Sequence, residues 1–168
     1  MARKIRPRSA PVSHGPAPAS LGRSSGRLLL VGLVLLALPE LVLLPADHGL
    51  WGSAAWRPLA YQDGAFWAGL LRDWHPNYAL QPALMFVTYA FLHAGPSHLL
   101  GNLLALVPLG QATLGWLGQG RTLGVGIAAA LGGGLAFGLL SRDPSPMVGA
   151  SGVVFGLAGA LALREGLS

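Results

Sequence analysis

The chain has 168 residues, of which 52% are hydrophobic and 10% charged, with a formal net charge of +5. A water-soluble domain carries about 25% charged residues, so these few charges cannot cover a soluble surface. The absence of cysteine excludes disulfides, thiolate nucleophiles and Cys-ligated metals. The positive excess does not point to nucleic acid, because six of the 11 basic residues (Arg3, Lys4, Arg6, Arg8, Arg23, Arg27) precede the first apolar stretch.

Residues 1–26 mix Pro, Ser, Gly and Arg without periodicity. Such a segment cannot bury enough apolar surface to offset its ordering entropy, and a disordered cytoplasmic tail is expected. Four apolar windows follow, at about 28–44, 97–118, 122–140 and 147–163, and only the first contains a formal charge, Glu40. Each is near the roughly 20 residues that cross a bilayer core. Backbone groups in hydrocarbon must be paired within their own segment, which leaves helix as the open-chain solution. The tail and first window also have the order of a signal peptide, but Pro39-Glu40 interrupts the apolar core, and an uncleaved anchor is expected.

Between the first two windows, residues 46–96 form a long loop holding Trp51, Trp56, Phe66, Trp67, Trp74, Tyr78, Phe86, Tyr89 and Phe91. That density of amphipathic rings suits the outer headgroup zone; a small extracellular domain is the alternative. With the tail inside, Arg121 and Arg164 also fall on the cytoplasmic side, and Arg57, Arg72 and Arg142 fall outside. The pattern predicts a multi-pass protein of the plasma (inner) membrane with a cytoplasmic N-terminus. In the fourth window Gly149, Gly152, Gly156 and Gly159 share one helical face, a small-residue stripe that lets another backbone approach closely.

This topology brings three polar side chains to one depth. His98 falls in the first turn of the second helix, Asn102 one turn deeper, and Ser151 in the first turn of the fourth. His98 and Asn102, four apart, point the same way, and polar groups in hydrocarbon face a bundle interior or a wet cavity. Taken singly, each has a plainer reading: an intramembrane serine back-bonds to its own helix, and a His or Asn serves as interhelical glue. His93 precedes the helix. No carboxylate or third imidazole has ligand spacing to His93 and His98, so neither metal nor cofactor is expected. Gly149-Ala150-Ser151-Gly152-Val153 lacks the second glycine of G-x-S-x-G, which excludes the elbow of soluble hydrolases. Ser151 instead opens a short apolar helix whose first amides and dipole can stabilise negative charge.

Phe91-Leu92-His93-Ala94-Gly95 with His98-Leu99-Leu100-Gly101-Asn102, followed by Gly149-Ala150-Ser151-Gly152, resembles the second-helix and fourth-helix motifs of the rhomboid intramembrane proteases. The resemblance implies an all-α fold, with residues 27–168 supplying four transmembrane helices of a six-helix bundle. It implies Ser151 as nucleophile, and His98, Asn102 and the Ser151 amide as oxyanion donors. Gly149 and Gly152 would permit the tight entry into the helix, and His93 would tie down the long loop. Substrates would be transmembrane segments of other proteins in the bilayer, cut near their outer ends. The family often carries a Trp-Arg pair shortly before the Thr-Tyr-Ala-Phe-Leu-His stretch, where Leu84-Met85 stands here. Its general base is a sixth-helix histidine, so a chain of four helices is expected to be an incomplete and inactive piece. A non-catalytic rhomboid-like protein that binds transmembrane clients, and a purely structural membrane protein, are the competing readings.

Overall fold

A computed structural model of the protein describes residues 22–167; the first 21 residues of the expected tail lie outside the described part. Five helices follow one another: α1 (Arg23–Asp47), α2 (Trp56–Gly64), α3 (Gln81–Thr88), α4 (Pro96–Leu140) and α5 (Ser151–Gly166), with 3-10 turns at Ala68–Leu71 and Tyr89–Phe91. Among the described residues the only extended pairing is an isolated bridge between Phe66 and Met147. The all-α reading holds, and α1 and α4 are each long and apolar enough to cross a membrane.

α1 begins at Arg23, so the tail expected to reach residue 26 stops earlier. A helix once nucleated gains one backbone bond per added residue, and the Gly26 N–H already reaches the Gly22 carbonyl at 3.0 Å. Pro39-Glu40, read as an interruption, lies inside the helix. Proline removes one helical hydrogen bond there. Glu40 turns away from the lipid-facing side and is only 3% exposed, paired with Arg57 of α2 at 2.9 Å.

The second and third predicted helices are the two limbs of α4, which meet at Gly118 with φ 74° and ψ 177°. Glycine adopts this positive φ without a steric penalty. The chain reverses there. Asn102 of the first limb and Gly133 of the second both lie beside the start of α5, while the Trp116 ring sits 5.3 Å from the guanidinium of Arg164 near the end of α5.

The predicted fourth helix starts later than expected, at Ser151 rather than Met147, and runs on to Gly166. Met147 is extended and exchanges two backbone hydrogen bonds with Phe66, at 3.0 and 2.9 Å. The glycine stripe is therefore divided. Gly149 precedes the helix, and Gly159 has open space where a side chain would stand. Gly152 and Gly156 make the close approach: a Cβ on Gly156 would lie 2.2 Å from the Ala129 Cβ, and one on Gly152 would lie 3.1 Å from the Tyr89 hydroxyl.

The long loop is a folded layer with its own core of Phe66, Met85, Tyr89 and Ala90, packed on Phe86, Phe137 and Met147. The Phe66 ring meets Phe86, Tyr89 and Phe137 edge-on at 4.8, 5.9 and 5.9 Å. The expectation that the loop aromatics share one interfacial role is corrected here, because Phe66 and Tyr89 are buried while Trp51, Trp56, Trp74 and Tyr78 are exposed. Arg72 closes the layer from the other side, donating to the carbonyls of Gly138 and Ser141 at the end of α4 (2.9 and 2.7 Å), where unpaired carbonyls attract cations.

Two substitutions on one helix separate contact from propensity. Gly156→Ala is expected to destabilise the fold by about 1–3 kcal/mol through overpacking. Gly159→Ala is expected to be neutral or stabilising by up to about 1 kcal/mol, since alanine is the better helix former. Thermal unfolding of the two variants in detergent checks the contrast.

Candidate active site

The site is assembled where the N-termini of α4 and α5 meet. Gly95, with φ 103°, caps α4 and Pro96 opens it, a preorganised first-turn residue with no N–H to leave unpaired. His98 is the third residue of the helix. Its Nδ1 reaches back to accept from the Ala94 N–H at 3.3 Å, much as a capping-box glutamate reaches back over a helix start. In the neutral ring this leaves the proton on Nε2, because the hydrogen bond at one ring nitrogen sets which one is protonated.

The Nε2 edge of His98 faces Gly149. A Cβ built on Gly149 would fall 2.7 Å from Nε2, 2.6 Å from Cε1 and 3.7 Å from Asn102 Nδ2. Gly149 has φ +116° and donates its N–H to the Tyr89 carbonyl at 2.9 Å. The crowded Cβ position and the positive φ both call for glycine. Asn102 is buried and gives one amide hydrogen to the His98 carbonyl at 3.1 Å, which leaves its second hydrogen available.

Ser151 is the first residue of α5 and half-buried. The first bond back to the cap is Val154 N–H to the Ala150 carbonyl, at 3.1 Å. Among the described residues, the amides of Ser151, Gly152 and Val153 thus remain as the open donors of a helix N-terminus. Ser151 Oγ makes no hydrogen bond there either. Its hydroxyl does not back-bond to its own helix, unlike those of Thr88, Thr113 and Thr122.

Of the six residues singled out in the sequence, the fold brings His98, Asn102 and Gly149 together, with Ser151 two residues further along the chain at the start of α5. Gly152 points away, toward Tyr89 and Ala129. His93 is buried at 1% exposure, its ring edge-on to His98 with centroids 5.3 Å apart. Its backbone makes the contact to the loop: the His93 carbonyl accepts from Arg57 at 3.0 Å and from the Tyr61 hydroxyl at 2.6 Å. Among the described residues neither ring nitrogen has a hydrogen-bond partner, and no group of three potential metal-ligating side chains occurs.

Sequence reasoning missed three supports. Trp56-Arg57 supplies a Trp-Arg pair well ahead of the Leu84-Met85 neighbourhood, and Arg57 forks onto Glu40 through two nitrogens, each at 2.9 Å. Tyr89 accepts from Gly149 with its carbonyl and donates its hydroxyl to the Ala130 carbonyl at 2.8 Å. Tyr61 is the third. The signal for Arg57 was present in the sequence: a carboxylate in an apolar helix needs a cation, and few cations lie on that side of the bundle.

Comparison with known proteins identifies the family. A family model described as the rhomboid domain matches residues 81–167, which include His98, Asn102, Gly149 and Ser151. The rhomboid protease GluP of Bacillus subtilis (strain 168) is 43% identical over 75 residues, covering 45% of this chain and 14% of that protein. The matched stretch is thus a small part of the relative's length. No solved structure matches.

Two measurements probe the site. Gly149→Ala is expected to cost about 1–3 kcal/mol in backbone strain and to push the His98 ring out of place, seen as a lowered unfolding midpoint in detergent. Burial, and then the neighbouring His98, hold the His93 imidazole below its usual range. The unfolded chain therefore binds the extra proton first as pH falls. Stability should be fully present above about pH 6.5, the ordinary imidazole value, and decline below it. His93→Gln should flatten that decline, measured as unfolding midpoint against pH.

Proposed function

The chain belongs to the rhomboid family of intramembrane proteases, and from that premise we propose that it carries the nucleophile and oxyanion site of a serine endopeptidase that cleaves transmembrane segments of other membrane proteins. The observation that supports this most directly is that His98 Nε2 and Asn102 Nδ2 both face the space beside Gly149, two residues before Ser151 opens α5.

In this reading Ser151 Oγ attacks the scissile carbonyl carbon, and the carbonyl oxygen becomes an oxyanion. The Ser151 N–H, His98 Nε2–H and the free Asn102 hydrogen are donors for that oxygen, and donors fixed in advance cost no reorganisation during reaction. Gly149 keeps the approach clear. The amine leaves, and water releases the acyl group from Ser151. His98 serves as donor rather than base, since its Nδ1 is already bonded to Ala94. A serine hydroxyl needs a base within hydrogen-bond reach, and the family resemblance assigns that role to a sixth-helix histidine. The 168-residue polypeptide alone is accordingly proposed to be inert, and to work together with that helix.

The protein is an integral membrane protein; its placement is part of the proposal. α1, the two limbs of α4 and α5 serve as four crossings. Arg23, Arg27, Arg121 and Arg164 fall at the cytoplasmic end of the plasma membrane bundle, with Arg57, Arg72 and Arg142 at the outer end. α5 has 16 residues, about 24 Å of helix against a hydrocarbon core of about 30 Å. Ser151 is thus set below the outer surface, and the exposed Trp51, Trp56, Trp74 and Tyr78 lie in the headgroup zone above it. A client-binding role without cleavage is the second reading, favoured by a Ser151 hydroxyl that no base engages among the described residues.

The test is cleavage of a membrane-anchored reporter in cells expressing the gene's whole reading frame. Ser151→Ala should reduce cleavage to background, and His98→Ala should lower it by about 10²–10³-fold, as for loss of one oxyanion donor, both with unchanged protein levels. Undiminished cleavage by Ser151→Ala would refute the protease reading; reporter binding without cleavage by the wild type would favour the client-binding one.

A further inference from the structure

The His93–Ala94 peptide is held at both ends of its plane. Its carbonyl accepts from Arg57 at 3.0 Å and Tyr61 at 2.6 Å. Its N–H, contributed by Ala94, donates to His98 Nδ1 at 3.3 Å. A peptide group is planar and stiff, so the direction of its C=O dictates the direction of its N–H. A cation donating to the carbonyl also polarises the amide and strengthens the N–H as a donor.

Arg57 is itself fixed on three sides. Two of its nitrogens fork onto the Glu40 carboxylate at 2.9 Å each, and its Nε donates to Asp47 at 2.7 Å. Glu40 is buried within the apolar length of α1, where a carboxylate without a partner would be strongly unfavourable. A chain of charge-assisted contacts therefore runs from the first helix through the loop to the imidazole beside Gly149.

We infer that Glu40, Arg57 and Tyr61 are positioning residues for His98: by gripping the His93–Ala94 peptide they hold the imidazole in the tautomer that carries its proton on Nε2 and aim that N–H over Gly149. The inference rests on the oxyanion-donor role proposed for His98. The unusual placement of an acid inside the first apolar helix follows from it. The carboxylate does more than fasten the loop, because the group it fastens decides which nitrogen of a site histidine can donate.

The tautomer can be read without any activity. In the full chain, labelled with 15N-histidine and held in bicelles, side-chain 15N resonances distinguish a ring protonated on Nε2 from one protonated on Nδ1. Wild-type His98 is expected in the Nε2–H form alone. Tyr61→Phe removes one of the two donors with little change in shape, and Arg57→Lys keeps the charge but loses the fork. Both should give a mixture of tautomers at His98. A single Nε2–H tautomer persisting in the two folded variants, or a wild-type ring protonated on Nδ1, would overturn the inference. Tyr61→Phe is chosen as the variant that loses one hydrogen bond only, so that a folding failure of Arg57→Lys leaves the question decidable.

Cleavage by the whole reading frame gives a second readout. Tyr61→Phe should lower kcat about tenfold to a hundredfold with KM unchanged, the pattern of a misaligned donor. Equal loss of folded protein and activity, with kcat per folded molecule preserved, would count against positioning. A wild type that shows the expected tautomer yet never cleaves would refute the protease reading while leaving the positioning of His98 intact.

Discussion

A carboxylate buried among leucines has to find a cation, and much of this molecule is arranged around that requirement. Glu40 is 3% exposed on a helix otherwise apolar over its central length, and Arg57 meets it with two nitrogens. Removing one partner from such a pair costs about 3–5 kcal/mol, because the other charge stays buried. The pair brings α2 against α1 and sets the level at which the loop folds back over the bundle. Below it the loop closes its own core around Phe66, Met85 and Tyr89, so a stretch without a membrane-length helix becomes an ordered layer over the helix ends.

The second constraint is space. Tyr89, Gly133, Gly152 and Ala130 meet where the loop, the second limb of α4 and α5 converge, and the Tyr89 hydroxyl occupies the gap that two missing side chains leave. The same device appears at Gly149, where the absent Cβ admits the His98 ring. Glycine here acts less as a flexible joint than as a measured vacancy into which a polar group is fitted. In each case that group, a phenol or an imidazole, also makes a directional hydrogen bond.

The sequence revealed the helices and the shared face of His98 and Asn102 because both depend on short-range regularities: apolar length, helical period and sign of charge. Helix ends were read less well. α1 extends back over Ser24, Ser25 and Gly26, since backbone pairing carried the helix through residues whose composition suggested a tail. Gly149 was placed on a helical face it does not share, because its positive φ is set by the Tyr89 carbonyl, a contact 60 positions away in the sequence that no local pattern records. Arg57 was passed over for a related reason. Its carboxylate partner 17 residues earlier was a readable cue, but the carbonyl it reaches 36 residues later leaves no mark on composition.

The paired amides of Phe66 and Met147 carry a mechanical implication. Met147 stands four residues ahead of Ser151 on the strand that delivers the serine to its helix. The loop layer cannot lift at Phe66 without tugging that strand along with it. Any displacement of the layer there is therefore felt at the start of α5, four residues on.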